Sequence, residues 1–440
     1  MVKKVVIVGA GPCGVLMAHY LLRRSDQYQI DLYDRLSDPR SIEFSKARTY
    51  RITLTERGIS ALGQIAEIET AVRAISLEIH GGIFHQENGK PRVTSRKKPF
   101  VTLDRTRLFI TLLQKLTEKY DTSRLNLHFN HACTKVNFAA KTIAFQPTAQ
   151  TSEAIDTSLT VKYDLLIGAD GARSVVRSHF LNTDLFEFEQ KYVPTDYKSI
   201  ILLNSNQPSD IHLEPNRVHS WRSNDGTVVL LLHQPDSSMS GIISFSRVNN
   251  QVAALATPEA VLQFFHKKFP EVGKLMTPSE AEAFLQRSSS RVLTTRCSRY
   301  HHGDSTLIVG DAAYASVSPS LGQGCNAALE DVAIVDKLLD EYADNWAIAI
   351  AQFTIRRKAD AHALAELSDN SYPSSAKLGI EFALREKLAK TLHQLFPNYF
   401  VPSLMDLVFE RDVPYAEILH SYKGWIAKVK KSNQQFLEAS

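Results

Sequence analysis

The 440-residue sequence lacks three features that would place it in a specialised class of protein. It has no excess of charge of one sign, since 51 basic and 47 acidic residues leave a formal net charge of +4, which argues against nucleic acid as a partner. It has no apolar run near the ~18 residues of a membrane span, so no transmembrane segment is expected. The four cysteines form no CxxC pair and no zinc-ligand spacing. These absences predict a protein of a reducing compartment, the cytoplasm, without disulfides or a bound metal.

The N-terminal region contains a strand, a glycine-rich turn and a helix. Residues 4–8 are apolar and β-branched, which is typical of a buried parallel strand, and a helix is expected over about 15–24. Between them, Gly9, Gly11 and Gly14 form a GxGxxG motif, and Asp34 ends a second strand about 20 residues later. In this dinucleotide-binding fingerprint the glycines allow a tight turn and let the backbone approach a pyrophosphate. The carboxylate, here Asp34, accepts hydrogen bonds from a ribose. NAD and FAD both fit it, and a glycine-rich turn without a ligand is the alternative.

Two further motifs each place an aspartate at the end of an apolar strand. Asp170 belongs to DLLIGADGARSVVR at residues 164–177, and Asp311 belongs to LIVGDAAYASVSPSLGQGCNAALED at residues 307–331. In the second motif a loop containing Gly322 leads into a helix that opens at GQGCN, so a positive helix N-terminus faces the space beside the carboxylate. Three separate sites suit one elongated ligand that carries a polyol and a flavin ring. The sequence therefore favours FAD over NAD.

The remaining pattern predicts an α/β protein with a Rossmann-type FAD-binding domain that is interrupted by a mostly antiparallel β-sheet substrate domain. Alternating runs between residues 181 and 250 indicate the antiparallel sheet, and the pattern is helical from about residue 345. We expect the FAD-binding domain over residues 1–72, 99–180 and 289–345, the substrate domain over 73–98 and 181–288, and a helical C-terminal region over 346–440.

The three motifs, in this order, resemble those of the flavoprotein aromatic hydroxylases. The segments KARTYRITLTERG (46–58), FEFEQKYVPTDYKSI (186–200), TPEAVLQFFHKKFP (257–270), GQGCNAALED and AHALAELSDNSY resemble the kynurenine 3-monooxygenase branch, over essentially the whole chain. The resemblance implies that Asp311 binds the ribitol and that Arg48 and Arg105 lie against FAD, although either arginine could equally form a surface ion pair. It also implies that backbone N–H groups at the start of the GQGCN helix face the flavin pyrimidine edge. The candidate cofactor-binding residues are Gly9, Gly11, Cys13, Gly14, Asp34, Arg35, Arg48, Arg105, Cys133, Asp170, Asp311, Gly322, Gly324, Cys325 and Asn326.

The sequence departs from this branch at the substrate. There, an arginine in the segment matching IHGGIFH grips the substrate carboxylate, and Gly82 stands at that position here. A family tyrosine falls near Val93, and a helix asparagine matches Ser371, although Asn370 is adjacent. We therefore expect an altered carboxylate clamp. The alternative is that a nearby cation, Arg92 or Arg96, restores it.

Three residues are candidates for the catalytic site by the same resemblance. The C-terminal tyrosine of the branch is retained as Tyr415, the usual GDAAH becomes GDAAY with Tyr314, and the proline above the flavin comes one residue late, as Pro319. The alternative for both tyrosines is a place in the core with a satisfied hydroxyl.

The resemblance implies an FAD-dependent monooxygenase that uses NAD(P)H and O2 to hydroxylate an aromatic small molecule through a C4a-hydroperoxyflavin. The sequence has no second Rossmann fingerprint, so NAD(P)H would reduce the flavin from outside. One alternative is a flavoprotein without aromatic hydroxylation, such as a halogenase or a prenyl reductase, although Trp221 lacks the paired tryptophan motif of the halogenases. The other is a non-enzymatic carrier like the Rab GDP-dissociation inhibitors. The oligomeric state stays open.

Overall fold

The computed structural model describes residues 2–42, 51–86, 90–148, 158–203, 211, 213–248, 250–315, 321–373, 375–410 and 412–438. In chain order the strands are β1 (Lys3–Val8), β2 (Tyr28–Tyr33), β3 (Arg51–Leu54), β4 (Leu77–His85), β5 (Arg92–Asp104), β6 (Leu125–His128), β7 (His131–Asn137), β8 (Thr142–Pro147), β9 (Leu159–Lys162), β10 (Leu165–Gly168), β11 (Phe188–Leu202), β12 (Val218–Arg222), β13 (Val228–His233), β14 (Met239–Ser246), β15 (Ser290–Cys297), β16 (His301–His302) and β17 (Thr306–Ile308). The helices are α1 (Pro12–Arg24), α2 (Glu56–Gly63), α3 (Ile68–Ala74), α4 (Arg105–Lys119), α5 (Val175–His179), α6 (Pro258–Lys268), α7 (Pro270–Leu275), α8 (Pro278–Gln286), α9 (Gly324–Glu341), α10 (Trp346–Asn370), α11 (Ala376–Leu395), α12 (Leu404–Phe409), α13 (Tyr415–Ser421) and α14 (Lys423–Glu438).

The first sheet has the strand order β16-β17-β10-β1-β2-β6, and every pair except β16–β17 is parallel. Val5, Val6 and Ile7 of β1 are completely buried, as expected for a central strand that is covered on both faces. The helix predicted over about 15–24 begins earlier, at Pro12, because proline fits the first turn of a helix. The carboxyl ends of β1, β2, β10 and β17 lie side by side along one edge of this sheet, which is where open α/β sheets bind ligands.

The second sheet has the order β15-β11-β14-β13-β12-β4-β5-β3 and is antiparallel except for the β12–β4 pair. One face packs on α6, α7 and α8, and Val229, Phe245, Phe265 and Phe284 belong to the core between them. β3 joins this sheet although it lies within residues 1–72, and β5 runs across the expected boundary at residue 98. The domain boundaries therefore stay predictions.

The C-terminal helices pack on the first sheet's layer of helices. α10 contacts both α9 and α13, and Phe353 and Tyr415 belong to the same core as the strands of the first sheet. A small sheet, β7-β8-β9, completes the described structure. None of the described helices has the length and apolar character needed to cross a membrane. The predicted fold class, a Rossmann-type domain interrupted by a mostly antiparallel sheet and followed by helices, is confirmed.

Candidate active site

The turn between β1 and α1 has the shape that the GxGxxG motif predicts. Gly9 has a φ of +101°, and a Cβ there would lie 2.3 Å from the Ala169 carbonyl oxygen. A Cβ on Gly14 would lie 2.0 Å from the Gly9 carbonyl oxygen, so α1 approaches the turn too closely for any side chain. A Cβ on Gly11 would meet no described atom within 4 Å. This leaves open space at the N-terminus of α1, where a pyrophosphate is stabilised by backbone N–H groups.

Asp34 follows β2 and holds the glycine turn in place. Its Oδ2 accepts a hydrogen bond from the Ala10 N–H at 2.8 Å, and its Oδ1 accepts one from the Leu36 N–H at 2.8 Å. Each carboxylate oxygen has a second lone pair for a ribose hydroxyl. Arg35 is exposed, and its carbonyl accepts a hydrogen bond from the Thr148 hydroxyl at 2.8 Å. Contacts of Asp34 and Arg35 with FAD stay predictions.

Asp170 follows β10 and has one satisfied and one unsatisfied oxygen. Its Oδ2 accepts hydrogen bonds from the N–H groups of Val175 and Val176 at 2.7 and 3.2 Å. Its Oδ1 is buried without a partner in the described part of the chain. Burial raises the pKa of Asp170, and burial together with the charge of Asp170 raises the pKa of Cys133 to about 12. Because an unsatisfied buried acceptor is costly, this oxygen fits a hydroxyl donor of a bound ligand.

Asp311 follows β17 at the same edge of the sheet. Its side chain is half-buried and, within the described ranges, accepts no hydrogen bond. Burial raises the pKa of Asp311, and the positive charges of Arg105 and Arg177 oppose this effect. A carboxylate that feels two positive charges and accepts no hydrogen bond from the described residues is suited to the hydroxyls of a ribitol.

The N-terminus of α9 lies beside this carboxylate. The N–H groups of Gly324, Cys325 and Asn326 bond to no acceptor among the residues that the structure describes. Burial raises the pKa of the Cys325 thiol to about 12. The charges of Arg105 and Asp311 also act on this pKa, which indicates that the three side chains are neighbours. Three free N–H groups and the positive end of the helix dipole favour a ligand that carries negative charge.

Two of the candidate side chains serve packing rather than ligand contact. The Asn326 amide donates to the carbonyl oxygens of Thr53 at 2.9 Å and of Gly322 at 3.0 Å, which fixes the loop before α9. Gly322 has a φ of +65°, a conformation that favours glycine. The Cys13 thiol donates to the Ala328 carbonyl at 3.1 Å, and burial raises its pKa well above the ordinary value. Only the backbone of Asn326 is therefore open to a ligand, and Cys13 joins α1 to α9.

Arg177 joins two of the motifs, a role that the sequence did not reveal. Its guanidinium is buried and donates to the carbonyl oxygen of Ala312 at 2.8 Å and to that of Ala172 at 2.7 Å. It therefore ties the loop after Asp170 to the loop after Asp311. The only signal in the sequence is that an arginine closes the DGARSVVR segment.

The two tyrosines predicted near the substrate have satisfied hydroxyls. The Tyr314 hydroxyl donates to Asp331 Oδ1 at 2.6 Å and accepts from Arg357 Nε at 3.2 Å. The Tyr415 hydroxyl donates to Gln323 Oε1 at 3.0 Å. Both side chains are buried, which favours the alternative of core tyrosines that position α9.

The clamp positions carry no cation. Gly82 pairs with Thr94, whose hydroxyl donates to the Gly82 carbonyl at 3.1 Å. Val93 is 53% exposed, and the Ser371 hydroxyl donates to the Leu367 carbonyl at 2.6 Å. Hence these three positions lack the arginine, tyrosine and asparagine side chains of the family's carboxylate clamp.

Two candidate residues, Arg48 and Pro319, lie outside the described residues. Within the ranges that the structure describes, no three His, Cys, Asp or Glu side chains are grouped so as to hold a metal ion.

The glycine turn, Asp34, Asp170 and Asp311 follow four strands of one parallel sheet and fit an elongated dinucleotide with a polyol. Fold and site thus define an FAD-binding oxidoreductase. Residues 3–366 match the family model described as FAD binding domain, and the chain belongs to this family.

Relatives over nearly the full length narrow the class further. The chain is 30% identical over 431 residues to a kynurenine 3-monooxygenase of Chaetomium globosum, which covers 90% of this chain and 89% of the relative. It is 29% identical over 429 residues to that of Drosophila willistoni, with 96% and 90% covered. A solved structure of 2-methyl-3-hydroxypyridine-5-carboxylic acid oxygenase shares the fold, with a TM-score of 0.65, 16% identity and coverage of 92% and 95%. The protein is therefore a flavoenzyme of the aromatic hydroxylase family.

Proposed function

We propose that the protein is an FAD-dependent, NAD(P)H-using monooxygenase that hydroxylates an aromatic small molecule, as the kynurenine 3-monooxygenases do, but with a different substrate clamp. The observation that carries this proposal is the half-buried Asp311 carboxylate beside the N–H groups at the start of α9, which bond to no acceptor among the described residues. Bound FAD would supply hydride acceptance from NAD(P)H and the activation of O2.

The chain's own residues would bind and orient the cofactor. Asp311 would accept hydrogen bonds from the ribitol, with the Arg105 charge nearby. The N-terminus of α9 carries roughly half a positive charge, which would stabilise negative charge on the flavin pyrimidine edge. The buried contact of Arg177 with both strand-end loops would keep the two aspartates in fixed positions.

The substrate side differs from the clamp that the resemblance to the kynurenine 3-monooxygenase branch implies. Gly82 provides neither a charge nor a side chain, and the absence of an arginine there suits a substrate that carries its acidic group elsewhere than L-kynurenine does. Val93 and Ser371 supply no replacement, because the first is apolar and the hydroxyl of the second is bonded to its own helix.

The alternatives have less support. Trp221 is buried in the core between the second sheet and α7, stacks on His85 at 4.3 Å and donates to Glu271 at 2.6 Å. This contrasts with a halogenase, in which tryptophan would serve the reaction. A carrier without flavin would have no use for an Asp170 oxygen and an Asp311 carboxylate that find no hydrogen-bond donor among the described residues.

The test begins with the flavin content of the purified protein. NADPH and NADH consumption would then be measured with a panel of phenols, indoles and aryl amines, and products would be identified by mass spectrometry. We expect a yellow protein in which at least one aromatic compound accelerates NAD(P)H consumption and gains one oxygen atom. A colourless protein would favour the carrier. If compounds stimulate NAD(P)H consumption but none of them yields an oxygenated product, the result would favour a flavoprotein without aromatic hydroxylation.

A further inference from the structure

Arg96 lies in an irregular part of β5, close to the clamp position. Gly82 lies opposite Thr94, and Ile79 lies opposite Phe100, so β5 has more residues than β4 between these two pairs. Arg96 belongs to this bulge and lies two residues along β5 from the partner of Gly82. A bulge of this kind redirects side chains at the edge of a site.

The guanidinium of Arg96 stacks on aromatic rings and makes one weak hydrogen bond. Its Cζ lies 3.7 Å from the centroid of the Phe409 ring on α12 and 5.8 Å from that of Phe100. In the described part of the chain its only hydrogen bond runs from Nη2 to the Met405 carbonyl at 3.4 Å. A guanidinium has five N–H donors in one plane, and stacking on its face leaves the edge free. The half-buried Arg96 is therefore short of acceptors.

No carboxylate among the described residues forms an ion pair with Arg96. The acids nearest to it have other partners: Asp406 pairs with Lys390 at 3.4 Å, Glu410 with Lys98 at 3.1 Å, and Glu386 with Ser403. Burial lowers the pKa of Arg96, and the negative charges of these acids only partly oppose that effect. Arg96 is thus a cation without an ion-pair partner in the part of the chain that the structure describes.

A phenol stands next to this cation. The Tyr372 hydroxyl lies 3.0 Å from the Met405 Sδ, which is a weak acceptor. Burial raises the pKa of Tyr372 to about 12, while the nearby charge of Arg96 acts in the opposite direction. Tyr372 is therefore a neutral donor that would gain by bonding to an oxyanion.

We propose that Arg96, with Tyr372 beside it, binds the carboxylate of the aromatic substrate, so that the anion is held between β5 and α12 rather than at position 82. This inference rests on the proposed function. The edge of the guanidinium would bind both carboxylate oxygens, and Phe100 and Phe409 would line the path to them. The substrate is then an aromatic carboxylic acid whose ring-to-carboxylate reach differs from that of L-kynurenine.

The test compares acids with their neutral amides on the holoenzyme. Benzoate, phenylacetate, 3-phenylpropanoate and 4-phenylbutanoate, each paired with its amide, form a ladder of increasing reach and would be titrated by calorimetry. For the acid of best reach we expect binding about tenfold or more tighter than for its amide, and we expect Arg96→Gln to abolish the difference. Arg92→Gln is the matched control, because Arg92 is an exposed arginine of the same strand. It should keep the preference for the acid.

The outcomes separate this inference from the proposed function. Equal affinity for acids and amides in the wild type, or an unchanged preference in Arg96→Gln, would overturn the role of Arg96 even if NAD(P)H still reduces the flavin. A wild type without FAD or without NAD(P)H oxidation would overturn the proposed function itself. If Arg96→Gln does not fold with normal FAD content, Arg96→Lys replaces it. That variant keeps the charge but loses the bidentate edge, and it should weaken the preference for the acid, whereas an undiminished preference would count against the proposal.

Discussion

The Arg357 guanidinium donates to Asp331 through Nε at 2.7 Å, and the two side chains are 3% and 0% exposed. The other Asp331 oxygen accepts a hydrogen bond from the Gly310 N–H at 2.9 Å, immediately before Asp311. Burial raises the pKa of Asp331 to about 6, and the positive charge of Arg357 opposes that effect. A helix of the C-terminal region thus keeps a buried carboxylate ionised, and this carboxylate holds the turn at Gly310, next to the aspartate that we propose binds the ribitol.

Replacing Arg357 should therefore affect both stability and flavin content. In Arg357→Met the Asp331 carboxylate stays buried without its counter-ion, and breaking such a pair costs about 3–5 kcal/mol. We expect a lower thermal midpoint and loss of FAD, measured by thermal unfolding and flavin absorbance. Arg356→Met is the control, because its ion pair with Glu341 is 44% and 40% exposed and contributes about 0–1 kcal/mol. Equal behaviour of the two variants would contradict the role given to the buried pair.

The Asp311 carboxylate should be required for FAD and dispensable for folding. Its proposed charge-assisted hydrogen bonds to the ribitol would be worth about 1.5–3 kcal/mol each, and within the described residues it makes no protein hydrogen bond that folding would lose. Asp311→Ala should purify as folded apoprotein, judged by flavin absorbance and circular dichroism. Asp304→Ala, which removes an exposed carboxylate paired with Lys141, should retain the flavin. Full FAD content in Asp311→Ala would show that the ribitol lies elsewhere.

Substitutions of Gly11 and Gly14, the second and third glycines of the fingerprint, should impair the protein in different ways. In Gly14→Val the new Cβ would lie only 2.0 Å from the Gly9 carbonyl oxygen. Helix α1 cannot then pack against the turn, and we expect insoluble protein. Gly11→Ala meets open space and should fold, yet it intrudes on the pyrophosphate and should lower FAD content. Solubility and flavin content distinguish the two effects. A yellow, active Gly14→Val enzyme would mean that the turn does not contact the dinucleotide.

Local chemistry explains which parts of this site could be predicted from the sequence. The glycine turn, Asp34, Asp170 and Asp311 each follow a buried strand, and the parallel strands bring their ends together at one edge. In each of these cases the functional residue lies next to its strand in the sequence, so the spacing of the motif is enough to predict where the residue lies.

Contacts between distant residues could not be predicted in this way. Arg177 bonds to Ala312 across 135 positions, and Asn326 bonds to Thr53 across 273. Nothing in the local pattern marks either partner, because the contact exists only once the sheet has formed. The hydrogen bond of Tyr314 could not be predicted for the same reason, since its acceptor Asp331 lies on the following helix, and a contact of Tyr314 with the substrate stays a prediction.

His19 should make the protein less stable in mild acid. Its imidazole is buried, hydrogen bonds to the Leu112 carbonyl at 2.9 Å, and has its pKa lowered by burial from 6.5 to about 4. The unfolded chain binds the proton more readily than the folded protein does. The contribution of neutral His19 to the free energy of unfolding is therefore fully present above pH 6.5 and is lost as the pH falls toward 4. The loss is about 2 kcal/mol at pH 5. In His19→Gln the thermal midpoint should decline less between neutral pH and pH 5 than it does in the wild type. His80→Gln is the control, because His80 is exposed, and it should decline as the wild type does. An identical decline in the wild type and both variants would contradict this assignment.

L-kynurenine should bind weakly, and an arginine at position 82 should improve its binding. The missing Arg–carboxylate pair costs about 1.5–3 kcal/mol, which corresponds to one to two decades of affinity, and the missing tyrosine and asparagine bonds add about 0.5–1.5 kcal/mol each. A Cβ at Gly82 would lie 3.2 Å from the Val218 carbonyl oxygen, so a side chain fits after a small shift of the strand. Titration of the oxidised flavin spectrum should therefore show at least tenfold tighter L-kynurenine binding by Gly82→Arg than by Gly82→Gln, which adds a side chain without charge. Micromolar binding by the wild type, with coupled formation of the 3-hydroxy product, would refute this prediction.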